Sequence, residues 1–542
     1  MDDSEALKPA ARSAAPARHR HRKKRLFVVH PILFAALPVL VLWAGNIQEG
    51  IALRDALLPL AAVVGGAAVV FFVATLILKS AAKAGLVTSV LILALFTYGL
   101  VYSAVNDVEV GGLDLGRHLV LLPVWGILGL GLVVLAGRAR RFLPEITTIL
   151  NVMAIGLVAL NTWSVVSFQL QEKASEEDAA RLSQAGFVGT LPDPQEVLAQ
   201  NGSNLRDIYY IVFDTYGGEK TMRDIFNFDN VPFLRQLEDR GFFVGHQATT
   251  NYPRTSLSLA SSLNMEYLGF LTEKYGANTD DATPLTNLIQ YNRVGRFLQS
   301  IGYRYYQIGS WWGPTVRNPM ADENLKFGGP SEFVQRLTET TVLQEVSDNA
   351  FRNREYNRVP YQFAAVPRTE ELEGPRFVFV HVLCPHGPFV FNADGSYVSK
   401  EDALARGRAV SYVNQVRYVN SQVVKMVDGL LDRPADQQPI IIIQADEGPY
   451  EGAPSTWIPR PSRELDRKFP IIAAYYLPGK GDGGLPQDLT PVNTFRVVFN
   501  LYFGADLEIL PSRNYVFRSL NRLYDFTDVT DLVRDIFDRP PP

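Results

Sequence analysis

Residues 207–214 read DIYYIVFD, an apolar, aromatic and β-branched run that stops abruptly on the carboxylate of Asp214. That pattern predicts a buried strand ending on an acid. Further on, NYPRTSLSLAS sets Pro253 ahead of a helix-like run, with Thr255 or Ser256 as the expected N-cap. PIIIIQADEGP leaves Asp446 and Glu447 at the end of a second, very apolar strand, turned by Gly448 and Pro449. RFVFVHVLCPHGPF puts His381 within a third strand and His386 just beyond it. Carboxylates at strand ends and a hydroxyl at a helix N-terminus are parts of a metal-assisted phosphoryl or sulfuryl transfer site. The chemistry explains the residue types. A threonine hydroxyl is a poor nucleophile until a divalent cation stabilises its alkoxide, and two adjacent carboxylates in an apolar setting are costly unless a cation neutralises them.

Each residue also has a plainer reading. Asp214 alone is an Asx-turn, Thr255 alone is an N-cap, and His381 is a satisfied core histidine. Of the chain's seven histidines, His19, His21 and His30 lie at the N-terminal end, so a pair five residues apart at a strand end carries weight. His381 and His386 are both candidates for substrate contact, and His386, in a loop, is the better one. The loop GSWWGPTVRNP offers Trp311, Trp312 and Arg317, either as packing or as a platform for an anionic sugar or lipid head group. Arg254 is placed to hold a phosphate oxygen or simply to be solvated; Asn251 and Tyr252 shape the loop.

These pieces need an α/β frame. Apolar strands that do not alternate inside and outside, separated by helices, predict a sheet buried on both faces. The 542 residues exceed one core, and the first third is almost wholly apolar. Apolar runs at 26–44, 57–78, 86–105, 119–136 and 145–168 are each about long enough to span a ~30 Å bilayer core. Lys79, Lys83, Arg138, Arg140 and Arg141 fall in alternate loops, on the same side as the basic tail RHRHRKKR. The positive-inside rule then makes the N-terminus cytoplasmic, and five spans carry everything after residue 168 outside. The expected division is a disordered basic tail at 1–25, a five-helix membrane domain at 26–168, an amphipathic linker at 169–206 and an extracytoplasmic catalytic domain at 207–542. The juxtamembrane position of the basic tail argues against nucleic acid as its partner. The single cysteine, Cys384, allows no intramolecular disulfide and is expected to be an apolar filler.

Together DIYYIVFD, NYPRTSLSLASSLNMEYL, HVLCPHGPF and QADEGP resemble the sequential motifs of the sulfatase/alkaline-phosphatase superfamily. The five-run anchor before them resembles lipoteichoic acid synthases and the membrane phosphoethanolamine transferases. The resemblance implies an alkaline-phosphatase/sulfatase-like sandwich with a mainly parallel central sheet. It also implies one divalent metal held by Asp214, Thr255, Asp446 and Glu447, with Thr255 as nucleophile and His386 on the substrate. It further implies transfer of a phospho-head-group from a membrane lipid donor to an envelope glycan or glycolipid, in the plasma or inner membrane. Two departures matter. Asp446-Glu447-Gly448 stands where the family has Asp-His-Gly or Asp-Asn-Gly. An all-oxygen shell of this kind favours Mn²⁺, Mg²⁺ or Ca²⁺ over Zn²⁺ and leaves a metal-free, envelope-binding protein as a rival. The C/S-x-P-x-R motif of true sulfatases is absent at Thr255, which disfavours sulfate-ester hydrolysis; a phosphatase or phosphodiesterase remains the alternative enzyme.

Overall fold

A computed structural model describes residues 27–46, 53–105, 108–110, 113–114, 117–173, 181–182, 186–202, 205–449, 463–482 and 484–539. The basic tail at 1–25 and most of the expected amphipathic segment at 169–184 lie outside these residues.

Four helices are long and apolar enough to cross a membrane: α2 (Leu53–Leu78), α3 (Ala81–Val105), α4 (His118–Arg138) and α5 (Leu143–Lys173). The first apolar run forms α1 (His30–Gly45), only 16 residues long. It nevertheless packs between α2, α3 and α5, with Ala35 and Val39 fully buried. Asn151 on α5 caps it, its Oδ1 accepting from the Val29 and His30 N–H groups at 3.1 and 2.9 Å. A bare helix N-terminus is thereby satisfied where water is scarce.

The rest of the chain folds around a seven-stranded sheet. In chain order its strands are β1 (Ile208–Phe213), β2 (Phe243–Val244), β3 (Arg304–Ile308), β4 (Glu323–Leu325), β5 (Arg376–Val382), β6 (Ile440–Ala445) and β7 (Ala473–Tyr476). Their spatial order is β2-β7-β6-β1-β5-β3-β4. β1 sits at the centre and pairs in parallel with β5 and β6, bringing Val212 level with His381 and Gln444. Every residue of β1 and β6 is buried, as the unbroken apolar runs require of strands covered on both faces. β7 runs antiparallel to β6, and β2 antiparallel to β7, so the sheet is mixed on that side. A separate hairpin, β8 (Tyr515–Ser519) and β9 (Arg522–Asp528), lies near the C-terminus.

Between β4 and β5 the chain does something the sequence pattern does not announce. Helix α6 (Glu332–Glu339) leaves the sheet and docks on the membrane helices, burying Phe333 and Leu337 among the side chains of α1, α2, α3 and α5. The strand of chain after it is stitched to α3 by backbone bonds, Gly99 N–H to Thr340 O at 3.0 Å and Val342 N–H to Leu95 O at 3.2 Å. His118 at the start of α4 then meets Glu345, Nε2 to Oε2 at 3.1 Å. From there α7 (Gln344–Arg368) runs back to the sheet, where Gln362 Nε2 donates to the His381 carbonyl at 2.9 Å. Gly99 is the tight point, because a Cβ there would stand 2.1 Å from Glu339 O and 2.8 Å from Thr340 Cα. Gly99→Val is therefore expected to destabilise the protein by about 1–3 kcal/mol, the usual range for overpacking. Thermal unfolding of the bilayer-reconstituted protein would check this, and an unchanged Tm would contradict the docking.

Candidate active site

Three neighbouring parallel strands deliver the central cluster. β1 ends one residue before Asp214, whose N–H is still held by Val382 O at 3.0 Å. β6 ends one residue before Asp446, held by Phe213 O at 3.2 Å. His381 is the penultimate residue of β5. One ligand atom from each of Asp214, His381 and Asp446 lies within 4.8 Å of the others, and all three residues are buried. His381 Nε2 stands 3.7 Å from Asp446 Oδ2.

The unused atoms of this cluster face one another. Asp214 Oδ1, Asp446 Oδ2 and His381 Nε2 are each buried without a hydrogen-bond partner. Two further atoms are committed, the first being Asp446 Oδ1, which accepts from the N–H groups of Thr215 and Glu447 at 3.1 and 2.7 Å. His381 Nδ1 lies 2.9 Å from Thr315 Oγ1, which in turn lies 2.7 Å from Ser310 Oγ. In the tautomer whose Nδ1–H donates to Thr315, the ring presents the Nε2 lone pair to the carboxylates. Two buried carboxylates and an imidazole lone pair, all unpartnered and converging, form the donor set of a divalent metal; the residues fit the ion. Burial first, and then the charge on Asp446, pushes the Asp214 carboxyl well above its ordinary range, with His381 and Lys468 pulling it back. Thr215 helps hold the turn, and its φ of 62° is an unusual conformation for a non-glycine residue.

Glu447 is occupied differently. Its Oε1 accepts from Lys468 Nζ at 2.7 Å, while its Oε2 is buried and unpartnered. Burial raises its pKa against the pull of Lys468. Among the described residues the group that could hold a metal ion thus contains His381, which the sequence suggests as a substrate contact, and does not include Glu447. A group of two carboxylates and an imidazole differs from the all-oxygen shell expected from the sequence.

Beside the cluster opens a recess of about 90 Å³, lined by Thr215, His386, Arg408, Tyr412, Glu447 and Lys468 among others. His386 keeps an edge open to solvent, yet crowding by the surrounding protein lowers its pKa, and Lys468 adds to this. Its Nδ1 lies 2.6 Å from the Gly387 carbonyl, so the neutral ring donates there and offers Nε2 as an acceptor. Lys468 was not visible as a site residue in the sequence. Its one signal is a cation set directly before the apolar run FPIIAAYY.

Thr255 is the first residue of helix Thr255–Ser262, and Arg254 rather than Thr255 or Ser256 occupies the N-cap position in extended conformation. The Arg254 Nε donates to Ser256 Oγ at 3.1 Å. Neighbouring Thr250 reaches the site directly, its Oγ1 donating to the Asp446 carbonyl at 2.6 Å. In the tryptophan loop, Trp312 lies edge-on to His381 with ring centroids 5.8 Å apart, and Trp311 packs edge-on against Phe351. Arg317 is exposed at the end of the short helix Gly313–Val316. Cys384 is buried, as a filler should be.

The Sulfatase family model matches residues 206–497, more than half of the 542-residue chain. This chain belongs to the sulfatase family. The match spans the cluster of Asp214, His381 and Asp446 and stops short of the C-terminal hairpin. No curated protein matches the chain. Among solved structures, the periplasmic domain of EcEptC from Escherichia coli in complex with Zn is similar at 13% identity and a TM-score of 0.40, covering 63% of this chain and 96% of that one. The integral membrane lipooligosaccharide phosphoethanolamine transferase A of Neisseria meningitidis is similar at 14% identity and a TM-score of 0.33, covering 87% of this chain and 95% of that one. The phosphonate monoester hydrolase of Agrobacterium radiobacter is similar at 11% identity and a TM-score of 0.36, covering 58% and 80%.

Proposed function

We propose that this sulfatase-family chain is a membrane-anchored, metal-dependent transferase. It moves a phospho-head-group, of the phosphoglycerol or phosphoethanolamine type, from a lipid donor to an envelope glycan or glycolipid. The observation that carries the reading is the convergence of unpartnered Asp214, His381 and Asp446 atoms at the ends of three parallel strands, in a chain that also has four helices able to cross a membrane. The short helix α1 serves as a fifth span, which puts residues 169–542 outside the cytoplasm. Residues 207–542 then act as the catalytic domain at the plasma or inner membrane.

Asp214, His381 and Asp446 hold the ion, and Thr255 and Glu447 are its further candidate ligands. A mixed nitrogen and oxygen shell suits Zn²⁺ as well as Mn²⁺, and better than Ca²⁺. When bound, the ion supplies Lewis-acid stabilisation of negative charge. The residues do the rest. Thr255 Oγ1 loses its proton and forms a bond to the donor's phosphorus as the phosphorus–oxygen bond to the lipid breaks, and the departing lipid alkoxide takes up one proton in exchange, leaving as the lipid alcohol. An acceptor hydroxyl then attacks the phosphothreonine, returning Thr255 to its free hydroxyl. His386, neutral and with Nε2 unprotonated, is suited to take the acceptor's proton. Lys468 and Arg254 favour the anionic group in the site.

The test is product analysis of the bilayer-reconstituted protein, with labelled phospholipid and with or without glycan acceptor. Transfer of label to the glycan is the expected result. Release of soluble head group at the same rate with and without acceptor would make the protein a phosphodiesterase instead.

A further inference from the structure

Helix α7 carries a second concentration of unused donors, outside the metal cluster. Arg358 is 2% exposed, and its Nη2 is buried with no partner. Arg354 Nε is likewise buried and unpartnered, and its Nη1 donates to the Pro330 carbonyl. The Trp311 indole N–H is buried, and Glu355 is the acceptor that faces it. One carboxylate answers these groups, that of Glu355, which is ion-paired with Arg358. Nearby Arg352 spends its Nη2 on the Phe389 and Val398 carbonyls, but its Nε is also buried without a partner. Buried Arg352 and Arg358 and half-buried Arg354 outnumber the Glu355 carboxylate, and an uncompensated charge taken out of water is expensive. Burial lowers the Arg354 pKa to about 10, with Arg358 adding repulsion.

The surroundings give this cluster an entrance and a direction. Gly328, Gly329 and Pro330 above Arg354 are exposed. Gly329, at a φ of +135°, leaves room for the guanidinium, since a Cβ there would fall 2.5 Å from Arg354 Nε. The next residue, Ser331, is the N-cap of α6, the helix docked among the membrane spans, and its Oγ is buried and unpartnered too. On the other side, Trp311 adjoins Trp312, which touches the metal ligand His381. Cys384 lies within electrostatic range of both Glu355 and Asp214. The cluster therefore stands between the bilayer-docked helix and the metal site.

We infer that Trp311, Arg354 and Arg358 form an anion-binding site that takes a phosphate or carboxylate group, entering past residues 328–330, next to but separate from the metal cluster. Planar guanidiniums and an indole N–H suit an oxyanion, whereas exposed Arg317, the arginine expected from the sequence to do this, lies outside the buried set. Only the identity of the anion's carrier, a lipid-linked substrate, rests on the transferase reading; the anion site does not.

Calorimetric titration of the full chain, in nanodiscs of zwitterionic phosphatidylcholine with a chelator present, tests the site without the metal. One arm adds inorganic phosphate, and the other uses discs containing phosphatidylglycerol, read as competition with that phosphate. Saturable phosphate binding is expected, weakened at least tenfold by Arg354→Gln and by Trp311→Phe and unchanged by Arg317→Gln. Competition by phosphatidylglycerol assigns the site to a lipid head group, and its absence assigns it to a soluble anion; either supports the site. If Arg354→Gln lowers the Tm, Trp311→Phe, which keeps the ring and removes only the N–H, decides. No saturable binding, or equal binding in Trp311→Phe, would overturn the inference. Thr255→Ala should bind phosphate normally, so a failure of the transferase reading would leave this result standing.

Discussion

Thr255→Ala protein in a lipid bilayer is expected to lose head-group transfer by on the order of 10⁴-fold or more, the scale of removing a covalent nucleophile. The fold should be spared. Thr255 is the first helical residue, Arg254 holds the N-cap position, and no side-chain cap bond depends on the threonine hydroxyl. An unchanged Tm with abolished turnover is the expected pair of results. Intact-mass analysis of wild-type protein quenched during turnover should show one phospho-head-group adduct that is missing from Thr255→Ala. A Thr255→Ala protein that retains full activity would end the mechanism, whatever the metal does.

The second large effect concerns the metal ligands, where activity and stability should move in opposite directions. Asp214 is buried against Asp446 and Glu447, with His381 and Lys468 as the compensating neighbours. Without an ion, its charge is a burden. Asp214→Asn should abolish activity yet make the metal-free protein more stable than metal-free wild type by roughly 1–3 kcal/mol, the range for relieving a poorly compensated buried polar group. Because the folded-state pKa of Asp214 is raised, the penalty is complete above that value and fades as pH falls towards the unfolded value near ~3.9. The stability difference between the two metal-free proteins should therefore shrink on acidification. Added divalent ion at about 1,000 times its Kd should stabilise wild type by about 4 kcal/mol and leave Asp214→Asn nearly unmoved. Thermal unfolding with and without metal, across pH, measures all of this; equal stabilisation of both proteins would contradict the assigned ligand.

What the sequence discloses and what it hides follow from the same physics. β1, β5 and β6 are legible because strands buried on both faces must be continuously apolar, and an acid at the end of such a run has few tolerable environments. Asp214 and Asp446 are found that way. His381 is harder. A histidine inside a strand can face core or site, and only the packed Thr315 and Gln362 contacts aim its Nε2 at the carboxylates. Glu447 is harder in another way: adjacency to Asp446 suggests a shared ion, and the sequence does not disclose that Lys468 takes one of its oxygens while the other stays buried and unpartnered. The long helix α7 is invisible because its inward face carries Arg352, Glu355, Arg358 and Gln362 between apolar residues, and two prolines, Pro360 and Pro367, lie within it. That same buried polar face is what ties the membrane-docked helix to the metal site. Strand direction leaves no trace either, so the antiparallel run of β7 reads like its parallel neighbours.

The most direct measurement is anomalous diffraction from crystals of the full chain grown with Mn²⁺ or Zn²⁺. The account predicts a single strong peak bounded by Asp214, His381 Nε2 and Asp446, at ligand distances of about 2.0–2.3 Å, with Thr255 Oγ1 among the atoms that reach it. A map with no ion between Asp214 and Asp446, or with one that Thr255 cannot touch, would contradict it.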